Sequence, residues 1–265
     1  MKKQKNKATK KIRIIKLISI ILMILGVSII ISIQLSNIFC KETVSSQINE
    51  FKQLRNSVLN DKNNNGNYYS DDNDNSKKTT NNNAVSYKID LDKLYTDSIN
   101  YNKNLVAHQR ELLKDTSYEA PALKLKNYGI QNNIYGYLSA PTINMELPIY
   151  LGASEQNMSY GATHMTYTSL PLGGESTNCV ISAHSGYIGR LFFDNIVYLS
   201  VGDQVSVTNY WSTLTYEVKD LKILKDYQSG DCYIKSGKDM LTLITCISDG
   251  EGGFNRFYVI CERYK

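Results

Sequence analysis

Three kinds of hydrophobic patterning follow one another along the chain. Residues 17–33 are seventeen positions without a charge, interrupted only by Ser19, Gly26, Ser28 and Ser32. As a helix rising 1.5 Å per residue they nearly cross a hydrocarbon core of ~30 Å, and Gln34 to Phe39 carry the segment through the interface. This predicts a transmembrane helix over 17–36. A cleavable signal peptide has a shorter apolar core, about 7 to 15 residues, followed by a small-x-small site, and no such site follows Ile33. Between Asn60 and Asn83 ten of twenty-four residues are Asn, with almost no apolar groups. Such a stretch cannot bury enough surface to offset its ordering entropy, which predicts a flexible linker over 37–86 that lets the body reach away from the membrane. Ile89, Leu91, Leu94, Ile99, Leu105, Leu112 and Leu113 then recur loosely at helical spacing, so 88–113 reads as one or two amphipathic helices.

From Ile134 onward the period shortens. Runs of β-branched and aromatic residues, separated by Gly, Pro, Asn and Asp, predict strands over 135–140, 145–150, 178–183, 204–208, 214–220, 241–246 and 256–262. The 214–220 run alternates cleanly, with Leu214, Tyr216 and Val218 on one face and Thr215, Glu217 and Lys219 on the other. One helix is expected near 191–199. Many short strands with little helix among them, and no internal repeat, indicate a mainly β fold, a closed barrel or a sandwich.

Charge refines the placement. Residues 1–16 hold eight of the 30 Lys and Arg and no acid, so the remainder has 22 basic against 25 acidic groups. The formal net charge of +5 belongs to the tail, and a basic nucleic-acid-binding body is not supported. Basic flanks stay in the cytoplasm, which puts everything after the span outside the cell. An exported chain can pair its cysteines. Here the spacings of Cys179, Cys232, Cys246 and Cys261 are irregular, and Cys179 and Cys261 sit in apolar strand-like runs, so buried structural thiols are expected at 179, 232 and 261. Three dispersed His residues and no Cys-x-x-Cys pair argue against a zinc site, and no cofactor is expected.

The candidate chemistry gathers at strand ends. His184 closes one apolar run and precedes Ser185-Gly186-Tyr187; Cys246 closes another and precedes a Gly-rich loop, after which Arg256 opens the last strand. If those last two strands form a hairpin, Cys246 and Arg256 lie at the same end. A thiolate is a nucleophile, and cations nearby enlarge its fraction. An imidazole can exchange the protons of an acyl transfer, and a guanidinium offers a fork of donors for an oxyanion. A Cys at a strand end is also common in a purely structural role. His164 reads as a hydrogen-bonded structural residue and His108 as a helix-surface residue.

The segment Gly161-Ala162-Thr163-His164, Thr168-Ser169-Leu170-Pro171-Leu172-Gly173-Gly174 and Asn178 to His184 resembles the stretch around the catalytic His of sortases. Thr242-Leu243-Ile244-Thr245-Cys246 with Arg256 is similar to their Thr-Leu-x-Thr-Cys signature and downstream Arg, and the likeness runs from about Tyr101 to the C-terminus. The Thr-Ser-Leu-Pro-x-Gly-Gly element is most like class C, the pilin-polymerising sortases. The resemblance implies an eight-stranded sortase β-barrel with N-terminal helices and one N-terminal transmembrane helix. It implies a cysteine transpeptidase that cleaves an LPxTG-like sorting signal between Thr and Gly. Cys246 would be the nucleophile, His184 the acid and base, and Arg256 the group that steadies the oxyanion, while Thr245 reads equally as a strand residue or as a hydroxyl lining the site.

Class C enzymes usually carry a lid with an Asp-Pro-aromatic motif over the site. The matching region here is Asp115-Thr116-Ser117-Tyr118, so Asp115 reads equally as a lid contact or as a solvated loop acid, with the aromatic missing from its place or displaced to Tyr118. The chain then divides into a cytoplasmic tail (1–16), the span (17–36), the linker (37–86), helices with a lid-like segment (87–133) and the catalytic barrel (134–265). Expected partners are the sorting signal of a pilin or surface protein, an acceptor amine from a pilin lysine or a cell-wall precursor, and the membrane. The alternatives are housekeeping-type anchoring to the peptidoglycan cross-bridge and a membrane-tethered cysteine hydrolase.

Overall fold

The computed structural model describes residues 2–64, 89–112, 117–187, 189, 192–225 and 230–264. Eight strands close into one barrel: β1 (Ile134–Ala140), β2 (Met145–Leu151), β3 (Ala162–His164), β4 (Thr177–Ser182), β5 (Gln204–Asn209), β6 (Thr213–Leu224), β7 (Asp239–Ser248) and β8 (Phe254–Arg263). Their order around the barrel is β1-β2-β3-β4-β7-β8-β6-β5. The pairs β2/β3 and β4/β7 are parallel and the rest antiparallel. Every expected strand is present within a few residues of its place. In β6 the expected alternation holds: Leu214, Tyr216 and Val218 are buried while Lys219 is exposed. They join Leu138, Ile149, Ile181, Val207, Leu243 and Val259 in the barrel core.

Two helices precede the barrel, α1 (Lys2–Asn64) and α2 (Leu91–Leu112). The apolar part of α1 is long and apolar enough to cross a membrane, with a mean hydropathy of 2.9 over its best window. The helix does not stop at 36. It continues through the first half of the segment expected to be linker and lies along the barrel, where Val44, Ile48 and Phe51 are buried. Val44 and Ile48 join the core around Met145, Leu147, Phe192 and Phe193. The Phe51 ring packs on Tyr210, with centroids 4.8 Å apart, and Arg55 Nε donates to the Tyr210 carbonyl at 3.2 Å. Apolar residues at 44, 48 and 51, spaced for one helix face, supply the burial that the Asn-rich composition further on lacks. The most Asn-rich part, 65–88, lies outside the described residues.

α2 buries Leu91, Leu94, Ser98, Asn102, Leu105 and Gln109, a single stripe spaced three and four apart. Three of its six members are polar, because they bond to the barrel. Asn102 donates to the Leu170 carbonyl and accepts from the Leu170 N–H. Gln109 donates to the carbonyls of Tyr167 and Cys232 and accepts from the Ile234 N–H. Apolar periodicity therefore shows only half of this face.

The helix expected over 191–199 is not formed among its described residues. Phe192, Phe193, Ile196 and Leu199 are buried at helix-like spacing, yet only a single 3-10 turn forms, at Ile196–Tyr198. The Phe193 N–H bonds to the His184 carbonyl at 2.9 Å, and the Asp194 carboxylate accepts from the Gly186 N–H at 2.8 Å. Hydrogen bonds that a helix would keep to itself go instead to the preceding loop.

His164 at the end of β3 is fully buried, as the structural reading expected, and its Nε2 lies 3.1 Å from the carbonyls of both Thr168 and Ser169. Carbonyls only accept, so Nε2 carries a proton. Burial pulls its pKa down to about 4. An unfolded chain protonates this ring near pH 6.5. The stability it contributes is therefore complete above pH 6.5 and drains away as pH falls towards 4, by on the order of 3 kcal/mol. Urea midpoints between pH 7 and 4.5 should fall more steeply for the native chain than for His164→Gln; parallel slopes would contradict the assignment.

Candidate functional site

β7 and β8 form the expected hairpin, and its register sets Cys246 directly opposite Arg256. Directly opposed residues of an antiparallel pair point to the same face, so guanidinium and thiol meet: Arg256 Nη1 donates to Cys246 Sγ. Both residues are half-buried. The turn beyond them is tied by Asp249, whose Oδ1 accepts the N–H groups of Glu251 and Gly253 at 2.9 and 2.8 Å. These bonds, with Lys225 nearby, lower the Asp249 pKa.

His184 arrives from the other side of β7. β4 runs parallel to it, pairing Ser182 with Ile244, and the two residues flanking His184 are bound to β7 by separate contacts. The Ala183 N–H donates to the Ile244 carbonyl at 3.3 Å and the Ala183 carbonyl accepts from Thr245 Oγ1 at 2.8 Å. On the other flank Ser185 Oγ donates to the Cys246 carbonyl. The backbone at His184 is thereby held at the end of β7, next to Cys246. The Tyr187 ring packs on it with centroids 4.7 Å apart and planes tilted by 38°. The structure thus gathers Cys246, Arg256 and His184 at one rim of the barrel.

The other expected site residues fare differently. Thr245 is buried, 2% exposed, and its hydroxyl is engaged with Ala183. It braces the His184 loop from behind and does not line the cleft. Tyr118 is not brought to the rim. Its carbonyl accepts from the Ala153 N–H at 2.7 Å, just past the C-terminal end of β2. That strand runs opposite to β7, so this is the far end of the barrel from Cys246. Close packing holds the segment there, since a Cβ at Gly152 would come within 2.5 Å of the Glu119 carbonyl oxygen. Asp115 lies outside the described residues.

Sequence reasoning missed Ser185, Tyr187 and Asp194. The only signal for the first two was their nearness to His184, and Asp194 carried none. None of the five cysteines forms a disulfide. Cys179, Cys232 and Cys261 are buried, and burial raises the thiol pKa of each, to about 12 for Cys232 and Cys261. Such groups are inert. Among the described residues no group of three or more His, Cys, Asp or Glu is placed to hold a metal.

Residues 138–264 match the family described as sortase domain, the part of the chain that holds all three rim residues. The barrel is similar to the sortase domain over nearly its whole length. Sortase A of Bacillus anthracis is 24% identical over 143 residues, a match that covers 53% of this chain and just under two thirds, 66%, of that protein. Among solved structures, a lid mutant of Streptococcus agalactiae sortase C1 has 27% identity and a TM-score of 0.58, covering 66% of this chain and 89% of that one. A pilus-related sortase C of group B Streptococcus has 29% identity and a TM-score of 0.56, covering 66% and 89%. The structural likeness is to class C sortases, and the eight-stranded closed barrel is the sortase fold.

The bond from Thr245 to Ala183 makes a specific demand on stability. Replacing Thr245 by Val keeps the shape and leaves a buried carbonyl without its donor, at a cost of about 1–3 kcal/mol. Denaturant midpoints should show this loss for Thr245→Val and its recovery in Thr245→Ser. Equal midpoints for Val and the native residue would mean that the hydroxyl serves something other than the fold.

Proposed function

We propose that the protein is a membrane-anchored cysteine transpeptidase that joins a sorting signal to an amine. The observation that carries the reading is the contact of Arg256 with Cys246, beside a His184 held by both its neighbours. Cys246 Sγ attacks the Thr–Gly carbonyl of an LPxTG-like signal. Arg256 donates to the developing oxyanion. As the tetrahedral adduct collapses, the C–N bond breaks, His184 gives its proton to the departing Gly amine, and a thioester to Cys246 remains. In the second half an amine nitrogen attacks the thioester carbonyl and yields its proton to His184, and the C–S bond breaks to free the Cys246 sulfur. The protein is left unchanged over the cycle.

The amine is most naturally a pilin lysine, because the chain resembles class C structures that include a pilus-related enzyme. A cell-wall cross-bridge amine would complete the same chemistry. The apolar part of α1 anchors the chain in the membrane. The eight basic residues before it remain on the cytoplasmic side and the barrel lies outside.

Incubating the chain in detergent with a sorting-signal peptide should give an acyl adduct at Cys246, seen by intact mass and absent in Cys246→Ala. An added amine should discharge it faster than water does. Arg256→Ala should lower kcat/KM by about 10²–10³, the loss typical of removing one oxyanion donor. Discharge at the same rate with and without amine would make the protein a hydrolase. No adduct across varied signals would reject the acyl-transfer reading.

A further inference from the structure

The direction in which α1 lies on the barrel carries a consequence for where the chemistry takes place. Asn37 is the first residue after the apolar span, and its Oδ1 accepts the Gly189 N–H at 3.0 Å. Gly189 approaches the helix so closely that a Cβ there would come within 2.0 Å of Ser36 Oγ. Eighteen residues later Arg55 bonds to the Tyr210 carbonyl, beyond the C-terminal end of β5. Between these two contacts the helix rises about 27 Å. Gly189 belongs to the loop that leaves β4 after His184. Tyr210 lies at the other end, where β5 turns into β6. α1 therefore enters at the rim that bears Cys246 and leaves at the opposite one.

We propose that the catalytic rim faces the lipid surface and rests against it, with the bilayer headgroup region as the partner of that surface. This rests on the reading of α1 as a membrane anchor. Gly189 is five residues on from His184, which bounds their Cα separation at about 18 Å. The reacting groups thus lie within about 2 nm of the point where the helix leaves the bilayer.

The surface chemistry of the rim fits that partner. Among the described residues outside α1, eleven large apolar or aromatic side chains are exposed, and six of them are on this end: Tyr187, Val197, Tyr198, Val201, Ile223 and Phe254. They come from three separate connections, β4 to β5, the end of β6 and the β7–β8 turn. Tyr198 and Phe254 are 72% and 67% exposed. Aromatic side chains with one wet edge favour the headgroup layer, and Phe39, 66% exposed, extends the same belt onto α1. A donor and an acceptor still attached to the membrane meet the thiol there without leaving the surface.

The single Trp of the chain, Trp211, lies in the β5–β6 turn at the far end and provides an internal reference. The full chain, and Phe254→Trp and Tyr198→Trp each made with Trp211 kept, would be reconstituted in phosphatidylcholine and phosphatidylglycerol vesicles carrying a quencher near the headgroups. The native chain should float with the vesicles and show little quenching. Each variant should gain a blue-shifted component quenched at least twofold more strongly than Trp211. Variants that float and quench like the native chain would overturn this proposal alone. A chain that fails to float would overturn the anchor reading and this proposal together.

Discussion

The pairing of β7 with β8 decides which side chains confront each other at the rim, and the closed barrel leaves that pairing no freedom. In a sheet the side chains alternate faces, so a slip of one residue would turn Cys246 and Arg256 apart and expose the apolar residues below them. Leu241, Leu243, Val259 and Cys261 point into the barrel core and make such a slip expensive. The hydrophobic core and the contact between thiol and guanidinium thus depend on one register. His184 is held to the same strand through Ala183 and Ser185, so all three groups take their positions from β7.

A second constraint comes from α1. A helix long enough to cross a membrane continues without interruption onto the barrel wall, buries Val44, Ile48 and Phe51 there, and touches the loop that follows His184. The apolar helix and the end of the barrel that bears Cys246 then share one continuous element, a different mechanical arrangement from the flexible tether that the composition of 37–86 suggested. The buried face of the helix over 44–51 is brief and sits among polar residues, which is why composition hid it.

The strands were readable because a barrel buries one face of each, and the alternation in β6 is the clearest case. β3 was not: Ala162, Thr163 and His164 are all buried, and three residues are too few to show a period. On α2 half of the buried stripe is polar, and the reason lies in carbonyls and amides of Leu170, Tyr167, Cys232 and Ile234, distant in the chain. The rim trio was legible from residue type and spacing together with the family likeness. Their supports were not, because hydroxyls such as those of Ser185 and Thr245 act on backbone carbonyls about sixty residues away. Tyr118 shows the reverse failing, since a match in sequence order said nothing of which barrel end it would reach.

The claim at the centre of this account is that the barrel singles out one thiol and places it where it can react. Limited alkylation of the folded chain by iodoacetamide, with peptide mapping at short times, tests it directly. Cys246 should be modified ahead of Cys40, while Cys179, Cys232 and Cys261 stay unlabelled until the protein is unfolded, and Arg256→Gln should change the rate at Cys246 alone. Labelling of the buried three at the rate of Cys246, or a Cys246 that reacts only after unfolding, would contradict it.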